Sequence, residues 1–151
     1  MTERSIAHGS FSVKRSYPHP VAKVFRAWSD PAIKRRWYGG PKQDDARRVF
    51  EFRVGGRENN FGRVGNQQFA LESVYYDIVP ENRIVYAYDV RIDGTITSLS
   101  IATVVFTSTG NGTELVMTEH GAFFDGLDSP TERIGGTEWV LDELDKVLET
   151  I

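Results

Sequence analysis

The segment from Ser129 to Ile151 constrains this chain more than any other, because it reads as a long helix with one apolar side. Ser129-Pro130-Thr131-Glu132 spells a capping box with proline at the first helical position. In that motif the serine oxygen and the glutamate carboxylate each satisfy an amide that a helix start leaves without a partner. Ile134, Thr137, Val140, Leu141, Leu144, Val147, Leu148 and Ile151 then fall on one arc, while Glu138, Asp142, Glu143, Asp145, Lys146 and Glu149 lie away from it. Each large apolar side chain buried on such an arc contributes roughly 1.5–3 kcal/mol, so the helix belongs to the core. Trp139 does not fit the arc: a helical wheel puts it nearly opposite Leu141, beside Gly135, Glu143 and Lys146. Cover for it would come either from Trp28 and Trp37, packing over it, or from an interface such as a homodimer contact.

A layer to receive that arc is written between Arg47 and His120, where the apolar period changes to two. Phe50, Phe52 and Val54 share a face up to Gly55-Gly56, and Ile84, Tyr86, Tyr88 and Val90 share another before Asp93-Gly94. Further turns fall at Val79-Pro80-Glu81-Asn82 and Gly110-Asn111-Gly112, where glycine and asparagine suit tight hairpins. Sequential hairpins predict an antiparallel meander, with a short, irregular strand in the Asn- and Gly-rich stretch 57–69. Ahead of it, Phe11, Val13, Arg15 and Tyr17 alternate as a first strand that Pro18 and Pro20 end. Two short helices follow. Pro20 suits the first position of one that buries Val21, Val24, Phe25 and Trp28; Asp30 caps a second, with Pro31 in its first turn and Ile33 and Trp37 stacked four apart, ended by Gly39-Gly40-Pro41. The fold class is therefore α+β.

Composition narrows the function. The chain of 151 residues suits a single domain over 1–151, without internal repeats or linkers; its 40% hydrophobic and 26% charged residues are those of a globular protein. A formal net charge of −3 argues against non-specific nucleic-acid binding, which needs a basic surface. The absence of cysteine removes disulfides and thiolate zinc sites. No apolar run approaches the roughly 20 residues of a membrane span, and Met1-Thr2-Glu3-Arg4-Ser5 lacks the character of a signal peptide, so a cytoplasmic protein without a membrane partner is expected. His8, His19 and His120 have no metal-ligand spacing, and no Gly-rich loop is placed to cradle phosphate; neither metal nor cofactor is expected. Lys34-Arg35-Arg36 and Arg47-Arg48 read as solvated basic faces.

Several stretches together carry a family resemblance. Residues 20–31, PVAKVFRAWSDP, followed by Trp37-Tyr38-Gly39-Gly40-Pro41, resemble the opening of the bacterial relatives of the activator of heat-shock-protein-90 ATPase, in the START-like or SRPBCC superfamily. Residues 53–57 (RVGGR), 78–86 (IVPENRIVY), 112–121 (GTELVMTEHG) and Gly136-Thr137-Glu138-Trp139 with Leu141 and Leu144 are similar to later motifs of that family. The pentapeptide at Trp37 carries one glycine more than its usual pattern. The resemblance implies a helix-grip fold: a curved antiparallel sheet wrapped around the C-terminal helix, two short helices after the first strand, and a cavity between sheet and helix.

In that fold the residues placed to line the cavity are Trp37, Phe50, Phe52, Tyr75, Tyr86, Tyr88, Ser98, Ser100, Met117, Glu119, Val140 and Leu144. Tyr86 and Tyr88 serve equally as core or as ligand contacts. Glu119 shares parity with Leu115 and Met117: it is either a cavity-edge carboxylate with a raised pKa or a strand-end residue in water or paired with an arginine. It points away from its neighbour His120, so the two form no dyad. Three functions follow: non-catalytic binding of a small apolar or amphipathic molecule; activation of a heat-shock-protein-90 chaperone, as the resemblance implies; and cyclase- or hydrolase-like catalysis with Glu119 and the tyrosines as acid and base.

Overall fold

The computed structural model describes residues 3–40 and 42–151. Pro41, the last residue of the expected helix stop, and Met1-Thr2 lie outside the described residues. In chain order the elements are β1 (Ile6–Tyr17), α1 (Val21–Ser29), α2 (Pro31–Lys34), β2 (Val49–Phe50), β3 (Arg57–Val64), β4 (Gln67–Val79), β5 (Arg83–Ile92), β6 (Thr95–Thr109), β7 (Gly112–Phe124) and α3 (Pro130–Leu148). The strands form one sheet in the order β1-β7-β6-β5-β4-β3-β2, with every neighbouring pair antiparallel. β2 to β7 are thus a meander, and α1 and α2 carry the chain from β1 at one edge to β2 at the other.

Local chemistry explains these joints. Asp93 and Gly94 both hold positive φ, 51° and 82°, which is the two-residue turn that matches strand twist. Register shifts between Tyr75 and Asp77 on β4 and between Val90 and Arg91 on β5 add local bend, since a bulge increases twist and bends its strand. The concave face so formed presents Ile84, Tyr86, Tyr88, Val104, Phe106, Leu115 and Met117, all buried. Against it lies α3, whose Leu141, Leu144 and Leu148 have no exposed surface. The Tyr17 hydroxyl donates to the Leu141 carbonyl at 3.1 Å and ties β1 to the middle of the helix. Near the start of α3, Gly9 lets the backbone of β1 pass under Pro130: a Cβ there would come within 2.5 Å of the proline ring.

Some expectations are corrected. The Ser129 Oγ does accept from the Glu132 amide, but the Ser129 amide donates to Asp128 Oδ1 at 2.7 Å and not to Glu132, so the capping box is half formed. Pro20 is the cap of α1, and the helix begins at Val21. The Phe50–Val54 strand shrinks to β2, because Arg53 and Gly55 already turn the chain and leave Val54 exposed. The 57–69 stretch, expected to be irregular, contains a regular eight-residue strand whose inward positions include Glu58 and Asn60. Its polar inner face hid the strand period.

Lys34 overturns the reading of residues 34–36 as a solvated face. It is 2% exposed, as is Glu58, and its ammonium donates to Glu58 Oε1 at 2.8 Å. The rings of Trp28, Trp37, Tyr38 and Phe50 surround the ammonium at 4.4–5.6 Å from their centroids. Glu58 also accepts from the Tyr75 hydroxyl and from Asn60 Nδ2. Burial pushes the Lys34 pKa down, and Glu58 pulls it part of the way back. Replacing one member of such a pair strands the other charge in an apolar surround, which costs far more than the intact pair contributes. Lys34→Met is expected to lose roughly 3–5 kcal/mol in urea unfolding, and Lys34→Met with Glu58→Gln to recover most of it. Leu144→Ala, which empties the helix side of the core, is expected to cost roughly 2–5 kcal/mol by the same measurement.

Candidate functional site: a groove between sheet and helix

The first half of α3 does not seat fully on the sheet. Between them lies an open groove of about 330 Å³. Its apolar wall is Leu71 of β4, Val90 and Ile92 of β5, Met117 of β7 and Val140 of α3, with Val64, Phe69 and Trp139 around the mouth. Two features keep it open. On α3, Gly136 faces the groove, and a Cβ there would meet nothing within 4 Å. On the opposite rim, Gly39 and Gly40 both hold positive φ, 101° and 82°, and Cβ atoms on them would collide with Gln43 and Asn60 or with Phe69. Both glycines of the 37–41 motif are therefore needed for this rim.

The polar floor follows from register. Phe11, Glu119, Ala102, Tyr86 and Tyr75 lie in one row across β1, β7, β6, β5 and β4. The adjacent row runs Gly9, Gly121, Ser100, Tyr88, Ser73 and Glu58. Small residues at Gly121, Ser100 and Ala102 leave the floor low, and two side chains of α3 one turn apart, Arg133 and Thr137, occupy that end. Tyr88 Oη donates to Glu119 Oε1 at 2.5 Å and Thr137 Oγ1 donates to Oε2 at 2.6 Å. The Arg133 guanidinium pairs with Asp128, donates to Ser98 Oγ at 3.3 Å and lies 5.7 Å from the Tyr88 ring centroid. Tyr86 sits beside Tyr88, with ring centroids 5.8 Å apart. The Tyr86 hydroxyl is buried and finds no partner of hydrogen-bond geometry, although Tyr38 is near enough to help raise its pKa.

Glu119 is 1% exposed, which excludes the strand-end-in-water alternative. Burial raises its pKa, against the opposing pull of the Thr137 and Tyr88 hydrogen bonds and of Arg133. Burial likewise pushes Tyr38, Tyr86 and Tyr88 above the ordinary phenol range, so all three stay protonated at neutral pH.

Of the residues expected to line the cavity, Tyr86, Tyr88, Met117, Glu119 and Val140 come together here. The others lie elsewhere. Trp37 and Tyr75 belong to the core around Lys34 and Glu58, with Phe50 and Phe52 stacked beside them at 6.0 Å. Ser98 and Ser100 are buried outside the groove lining, Ser98 as a partner of Arg133, and Leu144 is sealed in the core one turn beyond Val140. Trp28 and Trp37 pack on each other at 4.8 Å inside the core, so they do not cover Trp139, which is 46% exposed at the groove mouth. Sequence reasoning missed Arg133, Tyr38, Phe69 and Leu71. The four-residue step from Arg133 to Thr137 to Leu141 was the signal available for the arginine. Among the described residues, no group of His, Asp and Glu is arranged to hold a metal ion, and no helix is long and apolar enough to cross a membrane.

A seven-stranded curved antiparallel sheet around one long C-terminal helix, with two short helices between the first strands, is the helix-grip architecture of START-like proteins. The family described as Activator of Hsp90 ATPase homolog 1-like protein matches residues 18–149, and the chain belongs to that family. An uncharacterized protein from Rhizobium leguminosarum is 38% identical, with a TM-score of 0.93 over 99% of this chain and 100% of its own. The Mll3558 protein from Rhizobium loti is 40% identical, with a TM-score of 0.87 over 95% and 99%. CV1439 from Chromobacterium violaceum, 22% identical at a TM-score of 0.74 over 93% and 96%, shares the fold. No curated protein matches the chain.

The raised pKa of Glu119 has a sign that solution measurements read. The folded chain keeps this proton over a pH range in which the unfolded chain, with a pKa of about 4.3, has released it. Stability from the group is therefore full below the unfolded pKa and is lost as pH rises through the folded one. Glu119→Gln removes that titration, so the parent's stability minus the variant's is expected to fall between about pH 4 and about pH 8 in urea titrations. A difference that rises with pH would show that the carboxylate is held ionised.

Proposed function

We propose that this protein is a non-catalytic binding module for a small apolar or amphipathic molecule, held in the groove between the sheet and α3. The observation that carries this reading is Gly136. A glycine inside a helix is about 1 kcal/mol less favourable than alanine, and here it leaves open an apolar groove of about 330 Å³ that almost any other side chain would enter. Closed and dry, such a space would cost about 8 kcal/mol at roughly 24 cal/mol per Å³, comparable with a domain's net stability. Open, it exposes Leu71, Val90, Ile92 and Val140 to water, which an apolar guest displaces. Glu119 suits the floor of a binding site better than it suits a general base, because each of its oxygens already accepts a hydrogen bond. Trp139 fits the same reading as part of the rim.

The test exploits two adjacent helix glycines, of which only Gly136 faces the groove. Gly136→Leu is expected to fold at least as stably as the parent and to weaken binding of an apolar fluorescent reporter such as N-phenylnaphthylamine by about tenfold or more, a change of about 1.4 kcal/mol. Gly135→Ala is expected to gain up to about 1 kcal/mol of stability and to leave reporter binding unchanged. Equal reporter binding by the parent and Gly136→Leu would remove the groove as the site.

A further inference from the structure

A donor and acceptor account of the groove goes one step beyond that reading and rests on it. The acceptors at the buried end are already engaged: Glu119 Oε1 by Tyr88, Glu119 Oε2 by Thr137, and Ser98 Oγ by Arg133. Two donors on the same lining are not. The Tyr86 hydroxyl and Arg133 Nε–H are both buried without a hydrogen-bond partner. Tyr86 as a whole is 97% buried, being 3% exposed, so bulk water does not compensate its hydroxyl. A buried donor left unmade is costly, and an arginine Nε can only donate. What this end of the groove lacks is an acceptor.

Charge decides what kind of acceptor. Arg133 is the one cation at this end, and it faces two carboxylates, Asp128 in direct contact and Glu119 across the floor. No positive charge is left over for an anionic guest, and in a low-dielectric pocket an added carboxylate would sit against Glu119 without compensation. Tyr38 lies against Tyr86 and is followed by Gly39 and Gly40, so the side chain over the hydroxyl sits beside a backbone with unusual freedom to move.

We propose that the groove selects an uncharged guest whose apolar body carries a hydrogen-bond-accepting oxygen, such as a ketone or ester carbonyl, with that oxygen held by the Tyr86 hydroxyl beside Arg133 Nε. Three probes of one shape separate the possibilities: benzophenone carries the carbonyl, diphenylmethane lacks it, and diphenylacetate replaces it with a charged carboxylate. Affinities are read from methyl chemical shifts of Val90, Met117 and Val140 in the parent and in Tyr86→Phe. In the parent benzophenone is expected to bind about tenfold tighter than diphenylmethane, the range of one buried neutral hydrogen bond, and diphenylacetate to bind weakest. In Tyr86→Phe the ketone preference shrinks about fivefold or more. The variant itself is expected to be no less stable than the parent, because it deletes a hydroxyl that has no partner.

Equal binding of the ketone and the hydrocarbon by the parent, a preference that survives Tyr86→Phe, or tightest binding of the carboxylate would each overturn the proposal while leaving the groove as a site. A marked loss of stability in Tyr86→Phe would overturn it by showing that the hydroxyl is already satisfied. Failure of all three probes to shift groove methyls would remove the groove reading and this one together.

Discussion

Burial of the α3 arc in the concave face of the sheet is the contact on which the rest of this structure depends. Leu141, Leu144, Val147 and Leu148 close the core from one side, and α1 closes it at the far end through Phe25 and Trp28 against Phe106. The same helix then continues backwards over a sheet whose residues grow smaller and more polar, from Leu115 and Met117 to Glu119 and Gly121. One rigid rod laid across a bent surface touches it at one half and bridges it at the other. The groove is the consequence of that geometry, and Gly136 keeps it from being filled.

The interior is unusually polar for a chain of average composition, and it divides into two centres. Around Lys34 the charges cancel within one pair, with Tyr75 and Asn60 completing the acceptor's shell and four aromatic rings excluding water. That centre is closed, and it fixes α2 and the turn leading to Gly39 and Gly40 against β3. Around Glu119 the hydrogen bonds come from the sheet and from α3, and the centre faces the groove. A buried ion pair rarely adds stability over an apolar equivalent. The Lys34 pair therefore reads as a device that fixes the position of one rim, while the Glu119 centre sets what the floor offers to a guest.

The elements that the sequence announced clearly were those whose apolar period matched their burial. The α3 arc and the Ile84-Tyr86-Tyr88-Val90 face needed no correction, because solvent lies on one side of each. β3 defeated the same reasoning: its inward positions include Glu58, Asn60 and Gly62, so alternation of burial left no alternation of hydrophobicity. Lys34 was misread for a related reason, since its counter-ion lies 24 residues away in that disguised strand. Tyr86, Tyr88, Met117, Glu119 and Val140 could be placed at the groove because strand and helix parity alone orients them. Trp37, Phe50 and Tyr75 could not be assigned correctly, because whether an inward aromatic meets a core or a groove depends on how far the helix stands off the sheet, and Gly136 controls that through what it lacks. Arg133 was passed over as an ordinary charge in a first helical turn, although its spacing from Thr137 and Leu141 directs it at the floor.

The most direct measurement is a methyl-resolved titration of the intact protein with an apolar probe, comparing the two faces of the sheet in one experiment. With the guest held between α3 and the concave face, shifts concentrate at Leu71, Val90, Ile92, Met117 and Val140 and saturate together, while Leu99, Ile101 and Val105 on the exposed convex face stay still. Shifts that gather on the convex residues, with the groove methyls unmoved, would contradict the account.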